Sequence, residues 1–304
     1  MKKDKFQKIV CAYLAEYAVK YFGEEQLESN SFTYRLKTIL DNVMYLMKHI
    51  MEELSQSEFF VADCELKIGE DIPSYTIVLP DGHKIAVCGS VDRVDIMQRA
   101  DITYLRIIDY KTGTKQFKLS DILYGINLQM LLYLHSIEAS GGDKYGEIVP
   151  AGILYMPATV PYISSDSLKS IDKLPDELNK KLKMNGLLLK DTEIIHGMDK
   201  TDVATYIPVK IKAGEPVSST SLATLAEFGK IFKKVDMLIA EMGKNIYNGN
   251  IEAKPLKGGH DSCEYCPYDS VCAYRQSNPI TCFSVDNKAV IEEITNEING
   301  KEEE

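Results

Sequence analysis

No run of about 18 consecutive apolar residues occurs in the sequence, which excludes a membrane-spanning helix. The start, Met1-Lys2-Lys3-Asp4-Lys5, leads into an amphipathic stretch, so no secretory signal is expected. Proline is scarce, at 11 of 304 residues, and there is no internal repeat or low-complexity linker. The G-x-x-x-x-G-K-[ST] phosphate loop is missing, which excludes an ATP-driven motor within these residues. Basic charge is in deficit: 35 Lys and Arg stand against 45 Asp and Glu, a net charge of −10. Half of it sits in residues 286–304, where seven acids face only Lys288 and Lys301, and that tail is expected to be a solvated helix. So acidic a chain is not a typical high-affinity nucleic-acid binder, although an enzyme can meet nucleic acid through metal ions or a basic partner. The seven cysteines lack disulfide-like spacing, and three fall within ten residues. A reducing, cytoplasmic setting is predicted, with metal binding ahead of disulfides.

What is present suits a globular chain of one or two domains with a sizeable core: 45% of residues are hydrophobic and 26% charged. Residues 5–22 and 31–55 read as helices; Leu36, Ile39, Leu40, Val43, Leu46, Met47 and Ile50 recur at three- and four-residue steps. Gly23 punctuates the first helix, and Ser29-Asn30-Ser31 can cap the second. Strand-like runs cover 59–67, 74–79, 84–96 and 103–110, with Pro80-Asp81-Gly82 turning a hairpin. A helix is predicted from Ser120-Asp121 to about Glu138, a strand over 148–156, a lysine-rich helix over about 168–184, and a long helix from Ser218-Ser219-Thr220-Ser221 to about Asn248. This order predicts an α+β or mixed-sheet α/β fold, not a doubly wound parallel one.

The most informative stretch is Gly89-Ser90-Val91-Asp92, followed by Ile107-Ile108-Asp109-Tyr110-Lys111-Thr112. Residues two apart on a strand face one way, so Asp109 and Lys111 project together. If the two strands pair, Asp92, placed late in its run, meets Asp109 across the ladder. Two close carboxylates are costly unless a cation intervenes. Mg²⁺ tolerates so sparse a set because it keeps waters, and Lys111 can then orient a metal-bound water or stabilise charge on a phosphate. Taken alone, a D-x-K is usually a pair of surface charges at a strand end. In the following helix Gln129 and Tyr133, four apart, share a face. Taken alone they read as core-edge residues.

The order G-x-V-D, I-I-D-Y-K-T, Q-x-x-x-Y resembles the RecB-type branch of the PD-(D/E)XK nucleases. The resemblance implies a central mixed sheet flanked by helices, metal-binding acids (for Mg²⁺ or Mn²⁺) at Asp92 and Asp109, the lysine at Lys111, and the Q-x-x-x-Y pair at Gln129 and Tyr133. Glu65 on the first strand is a weaker candidate. The acid or histidine that the family carries on an initial helix has no matching context here, and Glu16 is not assigned to it.

Cys263-x2-Cys266-x5-Cys272 is the second anchor. Thiolates this close can converge on one soft metal centre. No second C-x-x-C pair exists, and His260 would complete a one-His, three-Cys zinc site. Cys11, Cys64, Cys88 and Cys282 read as structural. Some RecB-type nucleases carry an iron–sulfur staple with this C-terminal spacing, and the resemblance implies a 4Fe–4S cluster whose fourth cysteine lies before residue 1. Phe59-Phe60-x3-Cys64-Glu65, Tyr124-Gly125-Ile126-Asn127-Leu128-Gln129 and Ile246-Tyr247-x-Gly249-x-Ile251 narrow the resemblance to the C-terminal nuclease domain of the AddB subunit of bacterial AddAB helicase–nucleases. That family implies a piece of a larger subunit, a partner of AddA type, and a DNA exonuclease that cuts one unwound strand during recombinational repair of double-strand ends. The organisation then expected is N-terminal helices over 1–58, a nuclease core with helical insertions over 59–257, a cysteine loop over 258–285 and an acidic tail over 286–304. A free-standing RecB-type exonuclease and a non-catalytic zinc-binding interaction module are the competing readings.

Overall fold

In the computed structural model, which describes residues 3–302 except 114, 162, 164–173, 219, 260, 269 and 273–278, the three- and four-residue apolar pattern at the start of the chain becomes two helices. These are α1 (Lys3–Phe22) and α2 (Asn30–Ser55), joined by a 3-10 turn. Gly23 breaks the chain at φ +83°, and the Ser29 side chain caps α2 by accepting from the Phe32 N–H at 3.5 Å. Both predicted helices and their punctuation are as expected.

Strands β1 (Phe60–Ile68), β2 (Tyr75–Val78), β3 (Lys84–Val87), β4 (Gly89–Arg99) and β5 (Ile102–Lys111) follow. The run read as a single strand over 84–96 is two: it parts at Cys88, β3 closing a separate hairpin with β2 and β4 entering the main sheet. Asp92 therefore lies near the start of its strand, not late in it. After a 3-10 turn (Leu119–Tyr124) come α3 (Gln129–Ser140), α4 (Gly142–Tyr145) and β6 (Glu147–Pro157). The helix expected from Ser120 is thus broken, because Gly125 at φ +68° and Asn127 at φ +55° take left-handed conformations that no α-helix can contain. Then come α5 (Leu174–Leu182), β7 (Asn185–Leu189), α6 (Thr192–Met198), the small hairpin β8 (Lys210–Lys212) and β9 (Glu215–Val217), β10 (Leu222–Ala223) and α7 (Leu225–Tyr247). The expected lysine-rich helix falls partly outside the described residues. The long helix is capped not by the serine run but by Thr224, in a reciprocal capping box with Glu227. A short ribbon of β11 (Leu256–Gly258) and β12 (Ile280–Cys282) and helix α8 (Asn287–Glu302) end the chain.

The main sheet has the order β1-β4-β5-β6-β7-β10. β1, β4 and β5 are antiparallel neighbours, β5–β6 is parallel, β6–β7 antiparallel and β7–β10 parallel. This is the mixed sheet expected. The parallel step forces a crossover, which α3 supplies, burying Met130, Leu131, Leu134 and Ile137. The expected solvated tail is contradicted. In α8, Val290, Ile291, Ile294 and Ile298 are buried in the core, and Glu297 pairs with Lys234 of α7. Those four positions form an apolar stripe that wins over the tail's net charge. No described helix is long and apolar enough to cross a membrane.

Two buried polar clusters tie the layers together. Arg93 and Arg106 share Asp95 and Glu53, with contacts from 2.6 to 3.1 Å, all four side chains being at most 2% exposed. The second joins the hairpin to α3 and α7. His135 lies between Tyr75 and Phe232, with Nε2 3.2 Å from both Tyr75 Oη and Asp236 Oδ2. Burial alone would lower its pKa, but the contacts with Asp236 and Glu138 prevail and push it up to about 9. A histidine raised on folding stabilises fully below its unfolded pKa of about 6.5 and loses that contribution as pH rises through about 9. Chemical denaturation of wild type and His135→Phe from pH 6 to 10 should show an advantage of about 1–2 kcal/mol for histidine at the acid end, vanishing at the alkaline end. A pH-independent difference would show that the histidine is not charged.

Candidate active site

The site grows from the C-terminal end of β5, where β4 and β6 flank it. The β4–β5 ladder runs to Arg93↔Ile108, so one further step sets Asp92 beside Asp109. Asp92 Oδ2 accepts the Tyr110 N–H at 2.9 Å, which turns this carboxylate toward β5 between Asp109 and Lys111. Asp109 and Lys111 share a face, with Lys111 Nζ 2.5 Å from Asp109 Oδ2. The structure thus brings together the three residues that the strand argument paired. Asp109 is buried, and its Oδ2 has the Lys111 ammonium beside it but no other polar partner among the described residues. A buried carboxylate oxygen with a single cationic neighbour keeps lone-pair capacity that a bound ion would use. The opposite face of these strands carries the Arg93–Asp95–Arg106 cluster, because alternation sends Asp92 and Asp109 one way and Arg93 and Ile108 the other.

The Q-x-x-x-Y pair is placed differently. Gln129 is exposed at the first position of α3, and Tyr133 is half-buried. Among the described residues no hydrogen bond joins either to Asp92, Asp109 or Lys111. Tyr133 instead lies over Gly89: a Cβ there would stand 2.3 Å from its hydroxyl oxygen. The first and last motifs therefore meet through this packing, which no other residue at position 89 permits without moving the ring. Glu65 sits at φ +55°, unusual for a strand, and accepts from Ser90 Oγ at 3.0 Å.

Sequence reasoning missed Tyr155, Lys115 and Asp121. Tyr155 is the β6 partner of Asp109, 2% exposed, and its hydroxyl has no hydrogen-bond partner among the described residues. Burial, with Asp109 and Asp121 adding to it, pushes that hydroxyl up to about 12, so it stays a donor at neutral pH. Lys111 and Lys115 approach the Tyr155 ring at 5.6 and 5.2 Å. Asp121, on the 3-10 turn, is held by Asn127 Nδ2 at 2.6 Å. None of these carries a motif, and only the parallel β5–β6 pairing places Tyr155 here.

The profile of the PD-(D/E)XK nuclease superfamily matches residues 4–273. The chain belongs to this superfamily. Curated relatives agree, each named as the B-type subunit of an ATP-dependent helicase/deoxyribonuclease. The protein from Thermoanaerobacter sp. (strain X514) is 38% identical over 246 residues, 79% of this chain and 21% of that protein. Those from Alkaliphilus oremlandii and Clostridium kluyveri are each 36% identical, over 86% and 90% of this chain, and 24% of each relative is covered. The chain thus spans about a quarter or less of their length. The central mixed sheet flanked by helices is the fold expected of this superfamily.

Around the cysteine loop, the nuclease fold is closed by the parallel β11–β12 ribbon. The Cys266 N–H donates to the Cys263 carbonyl at 3.2 Å, the Cys272 N–H donates to that of Tyr268 at 2.8 Å, and the Phe283 N–H donates to Tyr124 Oη at 2.9 Å. The last contact ties the ribbon to the 3-10 turn that carries Asp121. All seven cysteines are free thiols, and Cys282 is buried on β12. Among the described residues no three His, Cys, Asp or Glu side chains gather as a metal-holding group. Cys263, Cys266 and Cys272 therefore do not by themselves form a converged cluster site. His260, the other ligand considered, lies outside the described residues.

Proposed function

We propose that this chain is the nuclease domain of an ATP-dependent helicase–nuclease subunit. It hydrolyses phosphodiester bonds of one DNA strand that a partner subunit of AddA type, in the cytoplasm, helps to unwind from a double-strand end. The observation that carries the reading is the Asp109–Lys111 pair beside Asp92, with a buried Asp109 oxygen whose one polar partner among the described residues is the Lys111 ammonium. The set suits Mg²⁺ or Mn²⁺: hard carboxylate donors, few in number, leave positions for water. Asp109 and Asp92 would hold the ion, which when bound supplies a Lewis acid and an acidified water. Lys111 neutralises charge developing on the phosphate and steadies the attacking water. Tyr155, buried and protonated, offers a donor from the floor of the site. Gln129, exposed at the start of α3, and Tyr133 would border the strand as it enters. Cys263, Cys266 and Cys272 would serve a 4Fe–4S cluster only with a fourth cysteine from elsewhere in the longer protein.

The test is metal dependence. The intact subunit, assembled with its partner, should cut end-labelled DNA in Mg²⁺, stop in EDTA, and resume on adding Mg²⁺ or Mn²⁺. Undiminished cutting in EDTA would remove the assignment.

A further inference from the structure

Five lysines, Lys111, Lys115, Lys180, Lys181 and Lys183, line one open cavity of about 590 Å³ that begins at the proposed active site, and no Asp or Glu is among its described walls. In a chain of net charge −10, such a concentration of one sign is a local exception. Some of these lysines are engaged: Lys183 donates to the Ala204 and Val209 carbonyls at 2.6 and 2.9 Å, and Lys180 pairs with Glu177 at 2.8 Å. Lys115 is placed otherwise. Its ammonium sits 5.2 Å from the centre of the Tyr155 ring, which Lys111 also approaches, so two ammonium groups share one small region. Burial and the Lys111 charge lower the Lys115 pKa, against the pull of Asp109 and Asp121.

The backbone here is held in place. Asn185, first residue of β7, donates from Nδ2 to the Lys115 carbonyl at 3.2 Å and accepts the Phe117 N–H at 2.7 Å. One side chain thus clips the segment after Lys111 to the sheet. The Tyr155 hydroxyl alongside is buried without a partner among the described residues. Lys111 is neutralised by Asp109, whereas Lys115, on the wall of the open cavity, has no ion pair among the described residues and offers its charge to an anion there.

We infer that Lys115 binds the DNA phosphate next to the phosphodiester cleaved, where the lysine-lined cavity opens beside Lys111. The inference rests on the proposed nuclease reading. Lys115 acts on binding and not on the chemistry, which Lys111 serves.

The experiment measures binding of a fluorescent 15-nucleotide oligo(dT) to the 304-residue chain in EDTA, across a range of low salt concentrations. Each lost phosphate contact on a single strand should reduce the slope of log K against log salt by about 0.7. Lys115→Gln should show that reduction and bind about 3- to 10-fold more weakly, while Lys115→Arg keeps the wild-type slope. In the intact subunit, Lys115→Gln should raise KM for single-stranded DNA several-fold with kcat within about twofold. Melting temperatures check that each variant is folded. Wild-type slope and KM in Lys115→Gln overturn the inference. Asp109→Ala separates the two readings: if it is inactive while Lys115→Gln matches wild type, only this inference fails, whereas if it cuts normally, the nuclease reading of the site fails.

Discussion

Replacing Lys111 with alanine should slow DNA cleavage by about 10²- to 10³-fold, as expected when one preorganised cation is taken from a site of developing charge. The ammonium stands 2.5 Å from Asp109 Oδ2 and beside the Tyr155 ring, in a half-buried position where water screens it poorly. Its removal leaves Asp109 buried with neither a hydrogen bond nor a counter-charge. On the proposed reading, in which Lys111 serves the reacting phosphate and no motor, ATP hydrolysis and strand separation by the intact complex should stay within about twofold. A strand-resolved gel assay reads the result directly: the strand assigned to this domain should stay long while the other is still cut. Equal shortening of both strands by the Lys111→Ala complex would show that the pair near the end of β5 is not the reacting centre. Lys111→Arg should recover little, since a planar fork cannot replace a compact ammonium between Asp109 and Tyr155.

Glu53→Ala should destabilise the protein by about 3–5 kcal/mol. Glu53 reaches from α2 to both Arg93 and Arg106, and its side chain is 1% exposed. Without it two guanidinium groups share Asp95 alone, and a cation remains buried without full compensation. The cost comes from that uncompensated charge, not from the worth of the ion pair, so removing both signs together should cost much less. Glu53→Leu combined with Arg106→Met is therefore expected to recover most of the loss in a urea titration. If the double variant is as unstable as Glu53→Ala, the network contributes through geometry and not through charge balance. The consequence for function is indirect: the network fixes the register of β4 and β5 from behind, and that register is what sets Asp92 beside Asp109.

The sequence carried the local parts of this structure well. Helix α2 follows from a 3.6-residue repeat, the β2–β3 hairpin from Pro80-Asp81-Gly82, and the shared face of Asp109 and Lys111 from the period-two strand. The failures have identifiable causes. The 84–96 run does carry a glycine at its break, Gly89 right after Cys88, but an isolated glycine inside a strand pattern also fits a bulge or a close backbone approach and does not by itself say that the chain leaves one hairpin for another sheet. The broken helix at 120–138 hinged on Gly125 and on Asn127 in a left-handed conformation, a state the residue type tolerates but does not demand. In the tail, the helical spacing of Val290, Ile291, Ile294 and Ile298 outweighs seven acids, because the described acids lie off the buried stripe.

What the sequence by itself determined is which chemical groups sit near one another along the chain: a carboxylate and an ammonium two residues apart on one strand, a second carboxylate on the strand before it, and three thiols within ten residues. Strand and helix periods are local properties, and they carry that much without any knowledge of the fold. Only the tertiary structure decided what lies across from them. Tyr155 stands beside Asp109 because β6 returns parallel to β5 through α3, and Lys115 faces the same ring because Asn185 of β7 holds the intervening segment. Those contacts join residues dozens of positions apart. They depend on which strands become neighbours and in what register, a choice settled by burying the whole apolar surface at once and written in no single stretch of the chain.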